Sequence, residues 1–577
     1  FEGIDQGNTR ISEIGLRELH GYPYFDALDA CAQTVMASFN SWNGQKLHGY
    51  ERLLTDILKK DMQFDGFVVG DWNGHGQVEG CSNAKCAQSF NAGVDMFMVP
   101  ENWKDLLRNT IRQVKSGEIS EARLNDAVRN ILTVKSRLGL FNGRVPHEFK
   151  ENYLGHPKHI ALARQAVRES LVLLKNNNRL LPLNPKQHIG IIGDAAKKIS
   201  SQTGGWTITW QGRENLNSDF VNVNSIYEAL EKTILSSGGT VEFSNNGKFT
   251  KDPDVVIGVF GEEPYAEMLG DLKDVSFAAT DPKFLPLLEA MNAQSIPTVS
   301  IFLSGRPLVV NRQLNASDAF IAAWLPGSAV EGIADVIFTI DDEIHHDFTG
   351  KLSYSWPKTK DQSVLNFTDS IYDPLFPYGY GLSYSSNVKT PRIQITDNDS
   401  KLDLVNVFLG TASIPGKEFV RTKAGPEFIL QDDFVSNNDK IKITRFDYQR
   451  QDDAKNVVFK EDQSLQAFGI SAESHVNLST MKSPFYEIIM RVNSLSNPSL
   501  YFSVGCGNNC RGSIKLPTKL MADWSTINIP LSCLEKDGLD KTKIQVRGLF
   551  LSEEEINFDL NSIVIKDGKL TGKEVSC

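Results

Sequence analysis

The sequence predicts an α/β chain in three consecutive regions: a set of β/α units, an open layered α/β domain, and an antiparallel β-sandwich. Three observations predict it. Short apolar runs separated by amphipathic helices recur about every thirty residues near the start, the period of a βαβ unit. A second alternation of apolar strands and helices begins at His188. After Ser385 short alternating strands and turn residues replace the helices, the texture of a sandwich.

The first region supplies strand candidates at Thr34–Phe39, Gly66–Gly70 and Val94–Val99. Helices are predicted at Tyr50–Met62, Ala84–Asn91, Trp103–Ser116 and Glu121–Leu138. The last places Leu124, Val128, Ile131 and Val134 on one face, with Ser120 as N-cap. Nearly continuous apolar strands between helices imply a parallel sheet. Asn142–His159 is a connection containing Pro and Gly, followed by a helix over Ile160–Lys175 and a turn at Asn176–Asn178. The second region carries strands at Ile189–Ile192, Val255–Phe260, Thr298–Leu303 and Ala319–Trp324, with helices such as Asn224–Ser236 and Pro282–Asn292. In the third, Phe485–Val492, Leu500–Val504 and Ile544–Phe550 read as strands. Domain boundaries are expected at residues 1–143, 144–187 (linker and helix), 188–385 and 386–577.

Composition narrows the function. Apolar content of 41% and charged content of 23% over 577 residues are ordinary for globular domains. The formal charge is −11 with no basic block, which argues against nucleic-acid binding. No apolar run approaches the roughly 18–20 residues of a membrane-spanning helix. The chain opens Phe1-Glu2-Gly3 without a signal-peptide pattern, so a processed leader or a fragment is expected. Close cysteines fall in two groups, Cys81 with Cys86 and Cys506 with Cys510 and Cys533. Neither offers four ligands with a histidine at zinc spacing, so short disulfides in an exported protein are expected rather than metal, and no cofactor is called for.

Three segments carry candidate chemistry. In Gly66–Trp72, Asp71 stands at the C-terminal tip of an apolar strand with Trp72 beside it. Alone, such an aspartate is an ordinary cap or turn residue. In Gly261–Asp271, four acidic residues, Glu262 and Glu267 among them, follow the strand Val255–Phe260. Ligands of open α/β sheets bind at that end of the strands, although a solvated acidic loop has the same composition. In Thr203–Gly212, Trp206 and Trp210 stand four apart in a glycine-bounded loop. A core anchor needs one indole; stacking on sugar rings uses both.

The motifs SWNG (Ser41–Gly44), GFVVGDWNG (Gly66–Gly74), NAGVDMFMVP (Asn91–Pro100), RESLVLLKNN (Arg168–Asn177), GGWTITWQG (Gly204–Gly212), GEEPYAEMLGD (Gly261–Asp271), LSGRP (Leu303–Pro307) and YGYGLSY (Tyr378–Tyr384) run in order through the first 385 residues. In this combination the chain resembles glycoside hydrolase family 3, in its exo-acting β-glucosidase and glucan glucohydrolase branch. The tail resembles the C-terminal sandwich of some bacterial members. The resemblance implies that Asp71 is the nucleophile and Glu267 the general acid/base, with Glu262 as the alternative acid. It also implies that Trp72 and Trp210 clamp the sugar while Trp206 shapes the loop. Gln6 falls where relatives often have Glu, and Phe39 where some have Tyr.

The implied reaction is retaining hydrolysis that releases glucose from the non-reducing ends of β-glucans, cello-oligosaccharides or β-glucosides, in a secreted or periplasmic setting. A β-glucan or β-glucoside is the only partner expected. The first region then corresponds to the last three strands of a (β/α)8 TIM barrel, with Asp71 ending the seventh. On that reading the chain is N-terminally incomplete, and alone it is expected to be inactive or poorly folded, with an unpaired sheet edge. The rivals are a β-xylosidase or β-N-acetylhexosaminidase of the same family, and a non-catalytic carbohydrate-binding protein presenting Tyr501, Phe502 or Trp524 of the sandwich.

Overall fold

The computed structural model of this chain describes residues 5–143, 154–272, 274–277, 284–395 and 404–575, except 411, 414–416, 423–427, 430–439, 447, 449–452, 461–463, 495–497, 508–509, 537 and 571. The first residues of the predicted helix Pro282–Asn292 and part of the connection Asn142–His159 lie outside the described residues.

In the first region three strands, β1 (Thr34–Met36), β2 (Phe67–Trp72) and β3 (Met96–Met98), form a parallel sheet in that order. Val68 and Val94 are fully buried and pack with Leu54, Leu58 and Phe64. Two helices follow, α1 (Trp103–Lys115) and α2 (Glu121–Arg137), the latter capped by the Ser120 hydroxyl, which accepts the Arg123 N–H at 3.1 Å. The Asp95 carboxylate, wholly buried just before β3, takes the Val68 N–H at 2.8 Å and pairs with Lys59 and Arg123. Through Val68 it ties β2 to the helices behind it. A separate small sheet joins Asn8–Thr9 to a hairpin of Ser41–Trp42 and Gln45–Lys46. Asn43 (φ 50°) and Gly44 (φ 90°) supply the two positive φ values that a two-residue hairpin turn requires.

The second region opens with helix α3 (Pro157–Ser170) and edge strand β4 (Val172–Asn176). It continues through β5 (His188–Ile192), α4 (Ile226–Ser236), β6 (Thr240–Phe243), β7 (Val255–Gly261), α5 (Phe284–Ala293), β8 (Thr298–Leu303), β9 (Ala319–Trp324) and α6 (Glu331–Ile337). The six strands lie in the order β4-β9-β8-β7-β5-β6, parallel except for β4. β7 and β8 are buried along their whole length, as central strands covered on both faces must be. One face packs Ile191, Ile257 and Ile301 with α4 and α6; the other packs Phe260, Phe302 and Phe320 with α5.

Among the described residues the third region forms two sheets of eight and six strands, antiparallel apart from the pairing of Lys573–Glu574 with Ser525–Pro530. Tyr486, Ile488, Phe502, Phe550 and Phe558 fill the space between them.

Several predicted elements are corrected. The helix expected over Ile160–Lys175 stops at Ser170, and Val172–Asn176 is the antiparallel edge strand β4. Val172, Leu173 and Leu174 are all fully buried, and a short run buried on both faces shows neither helical nor strand period. The helix expected from Ala84 begins at Ala87, because the Cys81–Cys86 disulfide and the Ser82–Lys85 bridge hold the preceding residues in a turn. The segment predicted as a helix from Tyr50 forms one over Arg52–Asp61 with π-type hydrogen bonding. Strands expected over Thr34–Phe39 and Val94–Val99 are shorter, and β2 runs on through Asp71 and Trp72 instead of ending at Gly70. Cys506 is bonded to Cys510 as well. Phe502, a candidate glycan platform, is fully buried core, whereas Tyr501 is exposed.

Candidate active site

Asp71 is the penultimate residue of β2, half-buried, with Trp72 39% exposed beside it. The register of β2 against β3 shifts between Val69 and Trp72, so Asp71 falls in the interruption of the ladder. Its own amide donates instead to His48 Nε2 at 2.9 Å, and the Trp72 N–H donates to its Oδ1 at 2.7 Å. Burial raises the Asp71 carboxyl above its ordinary range; the Trp72 N–H opposes this, and the negative charge of Glu267 adds to the rise. Asp71 and Glu267 are 196 positions apart in sequence, one from each of the first two regions.

The loop after β7 sorts its four carboxylates by partner. Glu262 accepts from Arg306 Nε (3.1 Å) and Nη2 (2.8 Å) and from Ser304 Oγ (2.7 Å). Glu263 is ion-paired with Lys198 at 2.7 Å, and Asp271 accepts the Asp5 backbone N–H at 2.8 Å. Glu267 is different. It receives the Trp206 indole N–H at 3.0–3.1 Å and the Trp210 indole N–H at 2.5 Å. Both donors are neutral indoles, whereas Glu262 and Glu263 are each paired with a cation.

The tryptophan loop is locked to the acidic loop by Gln211, a residue with no signal of its own in the sequence. Its buried amide donates to the Glu267 carbonyl at 3.1 Å and accepts the Ala266 N–H at 2.8 Å. Gly205 permits the contact: a Cβ there would lie 2.2 Å from the Tyr265 carbonyl oxygen. Trp206 is 70% exposed, its ring centroid 6.3 Å from that of Trp210. Arg306, within the LSGRP motif, lays its guanidinium 4.2 Å from the Tyr265 ring centroid and so holds the base of the acidic loop. Burial and the neighbouring Glu262 push the Tyr265 phenol up to about 12.

The remaining predicted residues lie on the first-region side. Gln6 (φ 58°) accepts from Gln77 Nε2 at 3.1 Å; Gln77 accepts Lys46 Nζ at 2.8 Å, which also donates to the Phe39 carbonyl at 2.9 Å. The Phe39 ring stands 5.8 Å from that of His48. Gln6 and Phe39 are therefore joined through Gln77 and Lys46, and Phe39 reaches Asp71 through His48. His48, Gln77 and Lys46 carry no sequence signal beyond being polar residues in a loop. No grouping of three or more His, Cys, Asp or Glu side chains able to hold a metal ion occurs among the described residues, and no helix among them is long and apolar enough to cross a membrane.

Fold and site present carboxylates and indoles from two α/β regions of the chain, and the comparisons with known proteins supply the family. Residues 2–134 match the model of the glycosyl hydrolase family 3 N-terminal domain, residues 171–384 that of the family 3 C-terminal domain, and residues 417–565 a galactose-binding domain-like model. The exo-1,3/1,4-beta-glucanase structure from a Pseudoalteromonas species is 39% identical over the whole of this chain and 72% of that one, with a TM-score of 0.67. The lysosomal beta glucosidase of Dictyostelium discoideum is 29% identical over 67% of this chain and 50% of its own length. The periplasmic beta-glucosidase of Salmonella typhimurium is 28% identical over 67% and 57%. This chain belongs to glycosyl hydrolase family 3, and it spans about half the length of the curated relatives it matches.

Proposed function

We propose that this chain carries the catalytic pair of a retaining exo-acting β-glucosidase or β-glucanase, with Asp71 as nucleophile and Glu267 as general acid/base. The observation that carries the reading is the pair of indole N–H groups, from Trp206 and Trp210, on Glu267, the loop carboxylate whose negative charge also adds to the rise of the Asp71 carboxyl. The printed activities of the relatives support the substrate class. Ionised Asp71 attacks the anomeric carbon, the glycosidic bond breaks, and protonated Glu267 gives its proton to the leaving oxygen. Water then attacks the glycosyl ester, giving a proton back to Glu267, and Asp71 leaves as carboxylate. Retention requires the two carboxyl groups about 5–5.5 Å apart. Glu262 is the weaker acid candidate, because its carboxylate is already engaged by the Arg306 guanidinium and the Ser304 hydroxyl. Trp72, Trp206 and Trp210 offer exposed or half-exposed ring surface for the apolar face of a sugar, and Gln6 and Phe39, joined through Gln77 and Lys46, complete the proposed binding set. The first region serves as the terminal β/α units of a barrel, and an exported setting is supported by the periplasmic relative and two short disulfides.

The test is a 2-deoxy-2-fluoro-β-glucoside with an activated leaving group, which traps the glycosyl–enzyme ester, followed by peptide mass spectrometry. The adduct is expected on Asp71 and absent from Asp71→Asn. An adduct on any other carboxylate overturns the assignment. A wild-type chain that hydrolyses no aryl β-glycoside overturns the activity for this chain and sides with the expectation of an incomplete pocket.

A further inference from the structure

His48 takes no part in the chemistry above, yet it holds the backbone of the nucleophile. Its ring is 1% exposed in a turn just after the Gln45–Lys46 strand. Nδ1 lies 3.0 Å from the Ser38 carbonyl oxygen, which can only accept. Nε2 lies 2.9 Å from the Asp71 backbone nitrogen, whose N–H can only donate. Both partners demand the same tautomer, with the proton on Nδ1 and a bare Nε2. An imidazolium would face the Asp71 N–H with a second donor.

We propose that His48 is a positioning residue for Asp71: a neutral imidazole that replaces the ladder acceptor missing at the β2 register shift and so fixes the direction in which the carboxylate leaves the strand. The proposal rests on Asp71 being the nucleophile. The site around the ring is built for it. A Cβ on Gly74 would lie 2.4 Å from Nε2, so only glycine lets the segment after Trp72 fold over the imidazole. The buried Ser89 hydroxyl donates to the His48 carbonyl at 2.6 Å and holds the turn from below. Burial brings the imidazole down to about 4; the charges of His75 and Lys46 act in the same direction, and the Ser38 carbonyl opposes. A ring that stays neutral brings no positive charge to compete for the carboxylate.

The test is hydrogen–deuterium exchange on the full chain, resolved to the Asp71 amide, in wild type, His48→Asn and His48→Gln. Asparagine replaces only the Nδ1 side of the ring, while glutamine reaches the Nε2 position with an acceptor oxygen. Exchange at Asp71 is expected to rise about tenfold in His48→Asn, the effect of losing one hydrogen bond, and to stay near wild type in His48→Gln. Unchanged exchange in His48→Asn, or equal acceleration in both variants spread along β2, overturns the proposal. Long-range ¹H–¹⁵N spectra of the histidine-labelled wild type supply a readout that needs no variant to fold. One imidazole is expected to keep the Nδ1–H signature from about pH 5 to 8; a His48 ring titrating near 6.5 overturns it. Neither measurement reads hydrolysis, so a failed trapping experiment removes the nucleophile while leaving the His48–Asp71 geometry separately decided.

Discussion

Removing Asp95 should loosen the strand that carries Asp71 more than any neighbouring single change. Its side chain is wholly inaccessible, and its oxygens take Lys59 Nζ at 2.8–2.9 Å, Arg123 Nη2 at 2.8 Å and the Val68 N–H at 2.8 Å. Breaking a buried ion pair by deleting one partner costs about 3–5 kcal/mol, because the remaining charge is stranded. Two features pull Asp95→Ala to the low end of that range. Lys59 keeps a 13% exposed side chain through which water can reach it, and burial already lowers its pKa. Arg123 retains Asp126 and the carbonyls of Phe90 and Val94. The expected loss is about 3 kcal/mol for Asp95→Ala. Asp95→Asn keeps an acceptor for Val68 worth about 1 kcal/mol, so its loss should be about 2 kcal/mol. Three regions with separate cores are not expected to unfold as one two-state unit, so a single melting temperature is the wrong readout. Native-state hydrogen exchange across β2 and β3, with β7 as internal reference, is the right one. Asp95→Ala should accelerate β2 amides more than a hundredfold at unchanged β7 exchange. A loss below about 1 kcal/mol, or equal losses in the two variants, would refute the view of Asp95 as a charge-assisted anchor.

Two further outcomes follow from the same geometry. Because the folded His48 pKa is about 4 against 6.5 for the free ring, the unfolded chain binds the proton first. Its contribution is therefore intact above 6.5 and falls away as pH drops from 6.5 toward 4, reaching about 3 kcal/mol. His75, also lowered by burial, adds in the same direction. Urea unfolding of the first region at several pH values should show this slope, and His48→Gln should flatten it; an unchanged slope would refute the linkage. Arg306→Ala should strand the largely buried Glu262 carboxylate and release the Gly270 carbonyl, costing about 2 kcal/mol after allowance for partial exposure. Exchange of amides 261–271 should rise accordingly. Arg306→Lys should recover little of the loss, since an ammonium cannot make the two-pronged contact.

The fold is legible where period and burial coincide. β7, β8 and β9 are central strands with long apolar runs, and the expected bounds of β8 and β9 match the observed ones. Edge β4 shows where that reasoning fails. Val172–Leu174 are as apolar and as buried as any central strand, but they follow a helix after one residue, so the pattern reads on as helix. What makes them a strand is the antiparallel partner β9, nearly 150 residues away, and no local period encodes a partner at that distance.

The candidate site divides along the same line. Asp71, Glu267 and the tryptophans stand out as candidates because sugar chemistry would call for those residue types and because they fall within collinear motifs, whereas a strand-end aspartate alone reads as a cap. The acidic loop shows the limit of composition. Its four carboxylates read alike until the fold brings Arg306 to Glu262, Lys198 to Glu263 and two indoles to Glu267. The partners of the Glu262, Glu263 and Glu267 side chains lie 42 to 65 residues away in sequence, and that of Asp271 lies 266 away. His48 and Gln211 make the point from the other side. Each acts through a backbone amide or carbonyl, and every residue owns one, so no pattern of side chains announces the contact. Residue types that sugar chemistry calls for leave a compositional trace, whereas contacts made through the backbone are found only once the register shift in β2 and the glycine-hinged loop at Trp206 have been built.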